Sequence, residues 1–457
     1  MVITMNRTIF LILVIIVGTV TDVMCQETRP ATGEILSLEK AIDIALTNNR
    51  EAKNARLEIE KSGDKLDAYR TRRLPQFKLS SQLSQPLSSF DTTFEKGVFG
   101  TYPGIGPIPN EDTVIKSSTN TTGLLVAQVS QPITQLRRLN FQIKQKQLDV
   151  EISQTKLAAT EQALVNEVKR AYYAVLQTEG ATRAAEESVK LYRELDRVTG
   201  EYVVQQVALK TDLMDVQTRV AKAEYEVLTL NNTLSSQKEQ LNNLLGRDVR
   251  TEFSVTDGLE TAQAAMRETD LAAARKRALE QRPEIREARL RLQSANLDKR
   301  AKKSEYLPDV SLTLTHAQTF NYSNFVPHSV SGVGVQVEWE VFDWGRKKNE
   351  VAEKNRTIAQ NENTLQETES QVLMEVNAKF RTLQESCQLI RIAQLAQKTA
   401  RANVQIAAYK YRLDAVLLKD VLQAQTSLAN ADYDYQKALL SFWTAKADFE
   451  KAIGEEK

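Results

Sequence analysis

The sequence predicts a mainly α chain in which duplicated long helical hairpins carry four β-strands of a membrane β-barrel. Three observations support this: an internal duplication, two helical stretches of unusual length, and strand pairs with strict alternation. The duplication is read first, because a repeat sets the architecture before any local detail. Leu38-x-x-Ala41-x-x-x-Ala45-Leu46 recurs as Leu271-x-x-Ala274-x-x-x-Ala278-Leu279. Ala55-Arg56-Leu57 recurs as Ala288-Arg289-Leu290, and Leu74-Pro75 as Leu307-Pro308, all 233 positions apart. Later the offset becomes 208: Asp212, Gln217-Thr218, Ala221, Ala223 and Tyr225 match Asp420, Gln425-Thr426, Ala429, Ala431 and Tyr433, and Gly246 matches Gly454. The change falls between Pro75 and Pro132.

The 457 residues would ordinarily suggest two to four domains; the repeat suggests two copies of one long unit. A signal peptide is expected over 1–25. The first structural repeat spans 26–246, with a strand pair at 76–131. A linker covers 247–268. The second repeat spans 269–454, with a strand pair at 309–341.

The signal rests on Arg7 followed by the apolar stretch Ile9–Val20, which is too short for a membrane span. Cleavage is expected after Cys25; the lipoprotein alternative, with lipid on Cys25, is disfavoured by Asp22-Val23-Met24. That leaves Cys387, for which packing in a helix is the expected role.

Short helices are expected over Leu38–Arg73 and Leu271–Tyr306, each ended by Leu-Pro because proline disfavours helix at the residue before it. Strands follow directly. Phe77, Leu79 and Leu83 alternate with Lys78, Ser80 and Ser84, with a return over 123–131. Val310, Leu312 and Leu314 alternate with Ser311, Thr313 and Thr315, and the return Val333, Val335, Val337, Trp339, Val341 with Gly334, Gln336, Glu338, Glu340. The bridge of the first pair is a longer loop, with Gly97, Gly100, Pro103, Gly104, Gly106, Pro107 and Pro109. One apolar and one polar face suits a sheet between lipid and a wet lumen. Gln336 and Glu338 are the candidate pore-lining residues. Trp339 and Trp344 read as interface aromatics or as core.

Long helices are expected from about Ile133 to Val204 and from about Arg346 to Leu413, at roughly 1.5 Å per residue on the order of 100 Å. Each has a partner, about Asp212–Leu245 and Asp420–Ile453, with Gly246 and Gly454 as terminal caps. Sparse, Ala-rich apolar positions point to thin-walled, coiled-coil-like packing. Four strands cannot close a membrane barrel, and open edges are not tolerated in lipid, so chains must associate, to eight strands as a dimer or twelve as a trimer.

Net charge is +1, from 60 basic and 59 acidic residues, which argues against nucleic acid as a partner. No catalytic constellation, phosphate loop or dinucleotide fingerprint is present, and no cofactor or metal is expected. His316 and His328 read as pore or loop residues.

In order and duplication, these motifs resemble the outer membrane efflux proteins of the TolC type. The carrying residues are the Leu38 and Leu271 openings, the two Leu-Pro steps, Gln131-Pro132-Ile133, Val341-Phe342-Asp343-Trp344-Gly345-Arg346, and Asp420-Val421-Leu422-Gln423-Ala424-Gln425 with its copy at Asp212. The resemblance implies a homotrimer with a 12-stranded barrel in outer-membrane lipid and a periplasmic α-barrel. It would serve as the passive exit duct for an inner-membrane transporter and a periplasmic adaptor protein. The alternative is a periplasmic adaptor or helical scaffold without a pore. The family's tips often read Gly-Leu-Ala-Thr. Here the candidate docking tips are Gln206-Val207-Ala208-Leu209 and Asp414-Ala415-Val416-Leu417, without either glycine. Asp414 suits a left-handed turn better than Gln206 does. The resemblance also implies an acidic constriction, for which Asp212, Asp414 and Asp420 are candidates, helix capping being the competing role of Asp212 and Asp420.

The first prediction concerns export: N-terminal sequencing of the protein from membranes is expected to begin near Gln26, and an intact Met1 in the inserted form would contradict it.

Overall fold

The structure is a computed structural model. It describes residues 34–455 apart from 88–90, 117–119, 207–208, 257–269, 323–325 and 414. The expected signal segment and residues 257–268 of the expected linker lie outside the described residues. The first half contains β1 (Glu34–Leu36), α1 (Leu38–Asn48), α2 (Arg50–Thr71), β2 (Gln76–Ser84), β3 (Asp91–Phe94), β4 (Thr101–Tyr102), β5 (Gly106–Pro107), β6 (Thr113–Lys116), β7 (Thr122–Pro132), α3 (Leu136–Val204) and α4 (Lys210–Leu244). The second contains β8 (Phe253–Val255), α5 (Leu271–Gln281), α6 (Pro283–Lys303), β9 (Asp309–Phe320), β10 (Ser329–Glu338), α7 (Arg346–Arg412) and α8 (Leu418–Ile453).

Each half opens with two helices, which corrects the single helices expected over Leu38–Arg73 and Leu271–Tyr306. The breaks fall at Asn49 and Arg282, again 233 positions apart. Asn49 leaves helical geometry (φ −56°, ψ 136°) and its side chain accepts from the amides of Glu51 and Ala52 at 2.8 and 3.2 Å. Arg282 is extended because Pro283 follows it. Both break residues also reach the C-terminus of the return helix of their own half. Asn49 Nδ2 donates to the Leu244 carbonyl at 2.9 Å, and Arg282 Nη1 to that of Lys451 at 3.2 Å. The buried Arg282 further pairs with Glu284 and Glu375 at 2.9 and 2.8 Å.

The glycines after the return helices fit into these breaks. Gly246 (φ +69°) lies so close that a Cβ there would sit 2.4 Å from the Asn48 carbonyl oxygen; Gly454 (φ +83°) packs on Gln281 and Arg282.

The core is thin and divided. One cluster gathers Ala41, Ala45 and Ala52 against Leu164, Val168, Val175, Leu241 and Leu245. Its counterpart gathers Ala274, Ala278 and Ile285 against Val372, Val376, Phe449 and Ile453. Alanines from the short helices let the long ones approach closely. A third cluster, around Ile390, Ala438 and Phe442, takes in Cys387, whose thiol is pushed up by burial. On α8 next to Phe449 of the second cluster, burial works against the charge of Asp448, but hydrogen bonds from Lys379 (2.8 Å) and Asn166 (3.0 Å) hold its carboxyl below the usual range.

Two further features differ from the sequence reading. The linker contributes β8, which pairs in parallel with β1. The Tyr172 hydroxyl fixes this small sheet, donating to the Leu36 carbonyl at 2.9 Å and accepting from the Thr256 amide at 3.1 Å. The bridge over 91–116 is also no plain loop: β3 pairs with β6 and β4 with β5. Among the described residues, no helix is long and apolar enough to cross a membrane.

The four longer strands form one antiparallel sheet in the order β10–β9–β7–β2, so the halves join through β7 and β9, and β2 and β10 are open edges. β10 ends at Glu338, short of the expected Val341, because its neighbour β9 begins opposite it at Asp309. Glu340 is therefore a junction residue here, contacting Arg346 and accepting from Lys347 Nζ at its carbonyl at 3.0 Å.

Substituting Gly246 by alanine combines a left-handed backbone with a collision. Gly246→Ala is expected to lower the thermal midpoint of helix loss by an equivalent of more than about 2 kcal/mol. Gly63→Ala, mid-helix with open space around it, is expected to raise it by about 0.5–1 kcal/mol. Circular dichroism on the solubilised protein checks both, and equal midpoints would contradict the packing at Gly246.

Candidate functional site

Two regions carry the candidate residues: the turns at the far ends of the hairpins, and the sheet. α3 has 69 residues, so the first turn lies about 100 Å from the sheet. α3 ends at Val204, and Gln206 adopts φ +61°, the left-handed cap conformation usually given to glycine. Gln206 was expected to take this turn less readily. It does so with its amide bound to the Val203 carbonyl at 3.0 Å. Val207, Ala208 and Asp414 lie outside the described residues. In the second turn the Ala415 amide donates to the Lys410 carbonyl at 2.9 Å, a six-residue closure of the helix end.

Leu209 and Leu417 begin the return helices in matching extended conformations. Lacking a capping side chain, each is served by the aspartate three residues on. The Leu209 amide donates to Asp212 Oδ2 at 3.3 Å and the Leu417 amide to Asp420 Oδ2 at 3.1 Å. Both aspartates thus act as caps, and both line one cleft between α3, α4 and α8, beside Asp215, Arg219 and Lys419. The two cations temper the acidic character there.

Leu209 and Leu417 are exposed at 69% and 62%, whereas Val416 is half-buried. The apolar surface extends beyond the turn residues to Val204 and Leu413, exposed at 84% and 61%. The signal for these two was available: each is an apolar residue at the end of a helix, where periodicity no longer buries it.

The sheet registers sort its side chains into two faces. Phe77 and Leu79 lie opposite Val129 and Ala127, which lie opposite Leu314 and His316. Leu312 and Leu314 face Val335 and Val333. These share the apolar face and are largely exposed in the single chain. His316 sits on this face rather than among the polar residues, bonded to Ser331 Oγ at 2.8 Å. The opposite face carries Lys78, Ser80 and Gln82, then Gln128 and Ser130, then Thr313 and Thr315, then Gln336 and Glu338. Below the sheet, Trp339, Phe342 and Trp344 are exposed at 56, 70 and 89%, so they are not core. Among the described residues no group of histidine, cysteine and carboxylate side chains is placed to hold a metal.

The family model for outer membrane efflux proteins matches residues 41–247 and 274–455, covering both halves. A probable efflux pump outer membrane protein of Pseudomonas putida, TtgC, is 26% identical over 307 residues, covering 65% of this chain and 61% of its own length. The outer membrane protein TolC of Escherichia coli is 22% identical over 362 residues, covering 74% of this chain and 70% of its own. In structure, the CmeC outer membrane channel of Campylobacter jejuni superposes with a TM-score of 0.72 at 16% identity, over 92% of this chain and 86% of that one. With both halves matched and the fold shared, the chain belongs to the outer membrane efflux protein family.

Proposed function

We propose that three copies of this chain form the passive exit duct, across the outer membrane and into the periplasm, of a tripartite efflux or type I secretion system. One observation carries the proposal. A four-stranded sheet with an apolar face and two open edges is continuous with helices about 100 Å long. Such edges require further strands, and three copies supply twelve. The apolar face then meets outer-membrane lipid, and Gln336 and Glu338 line the lumen. We read 1–25 as a cleaved signal, and 26–246 and 269–454 as duplicated units that each supply one strand pair and one hairpin. A duct needs no catalytic group, because its inner-membrane transporter supplies the energy. A periplasmic scaffold or adaptor without a pore would have no use for the exposed valines and leucines of the sheet.

The turns Gln206–Leu209 and Asp414–Leu417 are the proposed docking surface for a periplasmic adaptor or the transporter. Leu209 and Leu417 supply its apolar contacts and Val416 its support. Asp212 and Asp420 cap the return helices beneath this surface; with Asp414 they are the proposed acidic narrowing of the tunnel, partly offset by Arg219 and Lys419.

Two expected outcomes test this reading. Arginine at a mid-membrane, lipid-facing position costs about 2–4 kcal/mol. Val335→Arg is therefore expected to reduce folded trimer in the outer membrane sharply, and Gln336→Arg only slightly. Equal yields would contradict the faces.

At the tips, Leu209→Asp with Leu417→Asp is expected to cut efflux roughly tenfold or more by removing two apolar anchors, with trimer abundance unchanged. Dye-export rates alongside membrane immunoblots check this. Normal export would remove the tips as the docking surface, and loss of the trimer would make these leucines structural.

A further inference from the structure

The sheet contains its own template for the seam between copies. The hairpin register of the first half, Gln76 opposite Ser130 and Ser84 opposite Thr122, maps onto that of the second, Asp309 opposite Glu338 and Ala317 opposite Val330. The mapping uses the same offsets as the sequence repeat, 233 for the first strand and 208 for the return. The β7–β9 contact joins the return strand of one half to the first strand of the next. The missing contact has the same make-up: β10 is a return strand and β2 a first strand. Applying the offsets to Ser130 opposite Thr313 and Pro132 opposite Ser311 sets Glu338 opposite Ser80, and Glu340 opposite Lys78, of the next copy.

Charge supports this register independently. Lys78 is the only charged residue of β2, and Glu338 the only one of β10. Both are exposed, lie on the polar face, and have no ion-pair partner among the described residues. Glu338 moreover lies directly opposite Asp309, a like charge. Asp309 already has Arg138 at 3.2 Å, whereas Glu338 has no ion pair among the described residues. In the transferred register Lys78 of the next copy is opposite Glu340 and diagonal to Glu338, within reach of a lysine side chain.

Resting on the trimeric reading above, we propose that β10 pairs with β2 of the next copy in this register, and that Lys78 clamps the seam by placing its ammonium on the Glu338 carboxylate, alongside Glu340, which Arg346 and Lys347 already hold. Three such clamps ring the periplasmic end of the barrel, on its lumen side. The pairing also lengthens β10. In the template, β7 runs to Pro132, two residues past the end of its own hairpin, because β9 continues beside it. Residues 339 and 340 are extended by β2 of the next copy in the same way, so the strand gains its final residues only on assembly.

The test starts from the native mass of the solubilised wild type. A monomer would overturn the trimeric reading and this proposal with it. With a trimer in hand, Lys78→Glu is expected to lower the yield of heat-resistant trimer roughly tenfold or more, since three like-charged contacts form at once. The double variant Lys78→Glu with Glu338→Lys is expected to recover most of that loss. In a Cys387→Ser background, Ser80→Cys with Glu338→Cys is expected to be joined between copies by a short bifunctional thiol reagent, giving dimer and trimer bands on a denaturing gel. Pairing Glu338→Cys with Ser84→Cys, four residues out of register, is expected to give none. A wild-type trimer whose double variant is no better than Lys78→Glu alone, or whose cross-links favour Ser84, would overturn the clamp while leaving the duct intact.

Discussion

The architecture depends on how the return helix of each half is terminated. A helix end leaves carbonyls without partners, and here one side chain from a break in another helix serves one of them. Asn49 does this for Leu244 and Arg282 for Lys451. The same break receives the glycine that follows the helix, Gly246 or Gly454. The contact fixes where the short helices cross the hairpin, and so where their alanines meet the long helices. It is made with different chemistry in the two halves. Asn49 is a neutral cap, whereas Arg282 is a buried cation with two carboxylate partners, Glu284 and Glu375. Both carboxylates are themselves partly exposed, so water takes over part of what either supplies, and removing one of them costs well below the loss of a partner in a fully buried pair.

The long-range plan was legible because it is written in periods and offsets. Helix lengths follow from uninterrupted helix formers, strand faces from alternation, and the ends of the short helices from Leu74-Pro75 and Leu307-Pro308. The breaks at Asn49 and Arg282 were missed, although Pro283 is a local signal for the second. A single position of extended backbone barely disturbs an apolar pattern on either side. The parallel pairing of β1 with β8 was not legible, because three-residue strands carry no period and their partner lies more than two hundred residues away. The left-handed Gln206 defied residue preference. The chain must reverse within a few residues there, and that geometric demand outweighs a local cost of about 1–2 kcal/mol.

At the candidate sites, sequence reasoning located residues but not their relations. Asp212 and Asp420 were readable as either caps or a charged narrowing, and the geometry has them capping while lining one cleft with Arg219 and Lys419. Glu338 and Glu340 read alike as polar positions of one strand. In the folded chain they divide, one on the sheet and one held at the helix junction by Arg346 and Lys347. Which end of a strand is paired depends on how far its neighbour runs, and alternation carries no information about that.

In the proposed trimer, the registers of the sheet also set the bore of the barrel. From Gln76 across Ser130 to Thr313, the ladder arrives four residues beyond Asp309, the repeat equivalent of Gln76. If the three seams between copies repeat it, six such steps around twelve strands give a total stagger of about 24 residues, which tilts the strands by roughly 54° from the axis at 3.3 Å rise and 4.8 Å spacing. The radius at that tilt is about 16 Å, against about 11 Å for twelve strands tilted by about 36°. The stagger that comes with the duplication thus comes close to doubling the cross-section of the proposed barrel without adding a strand.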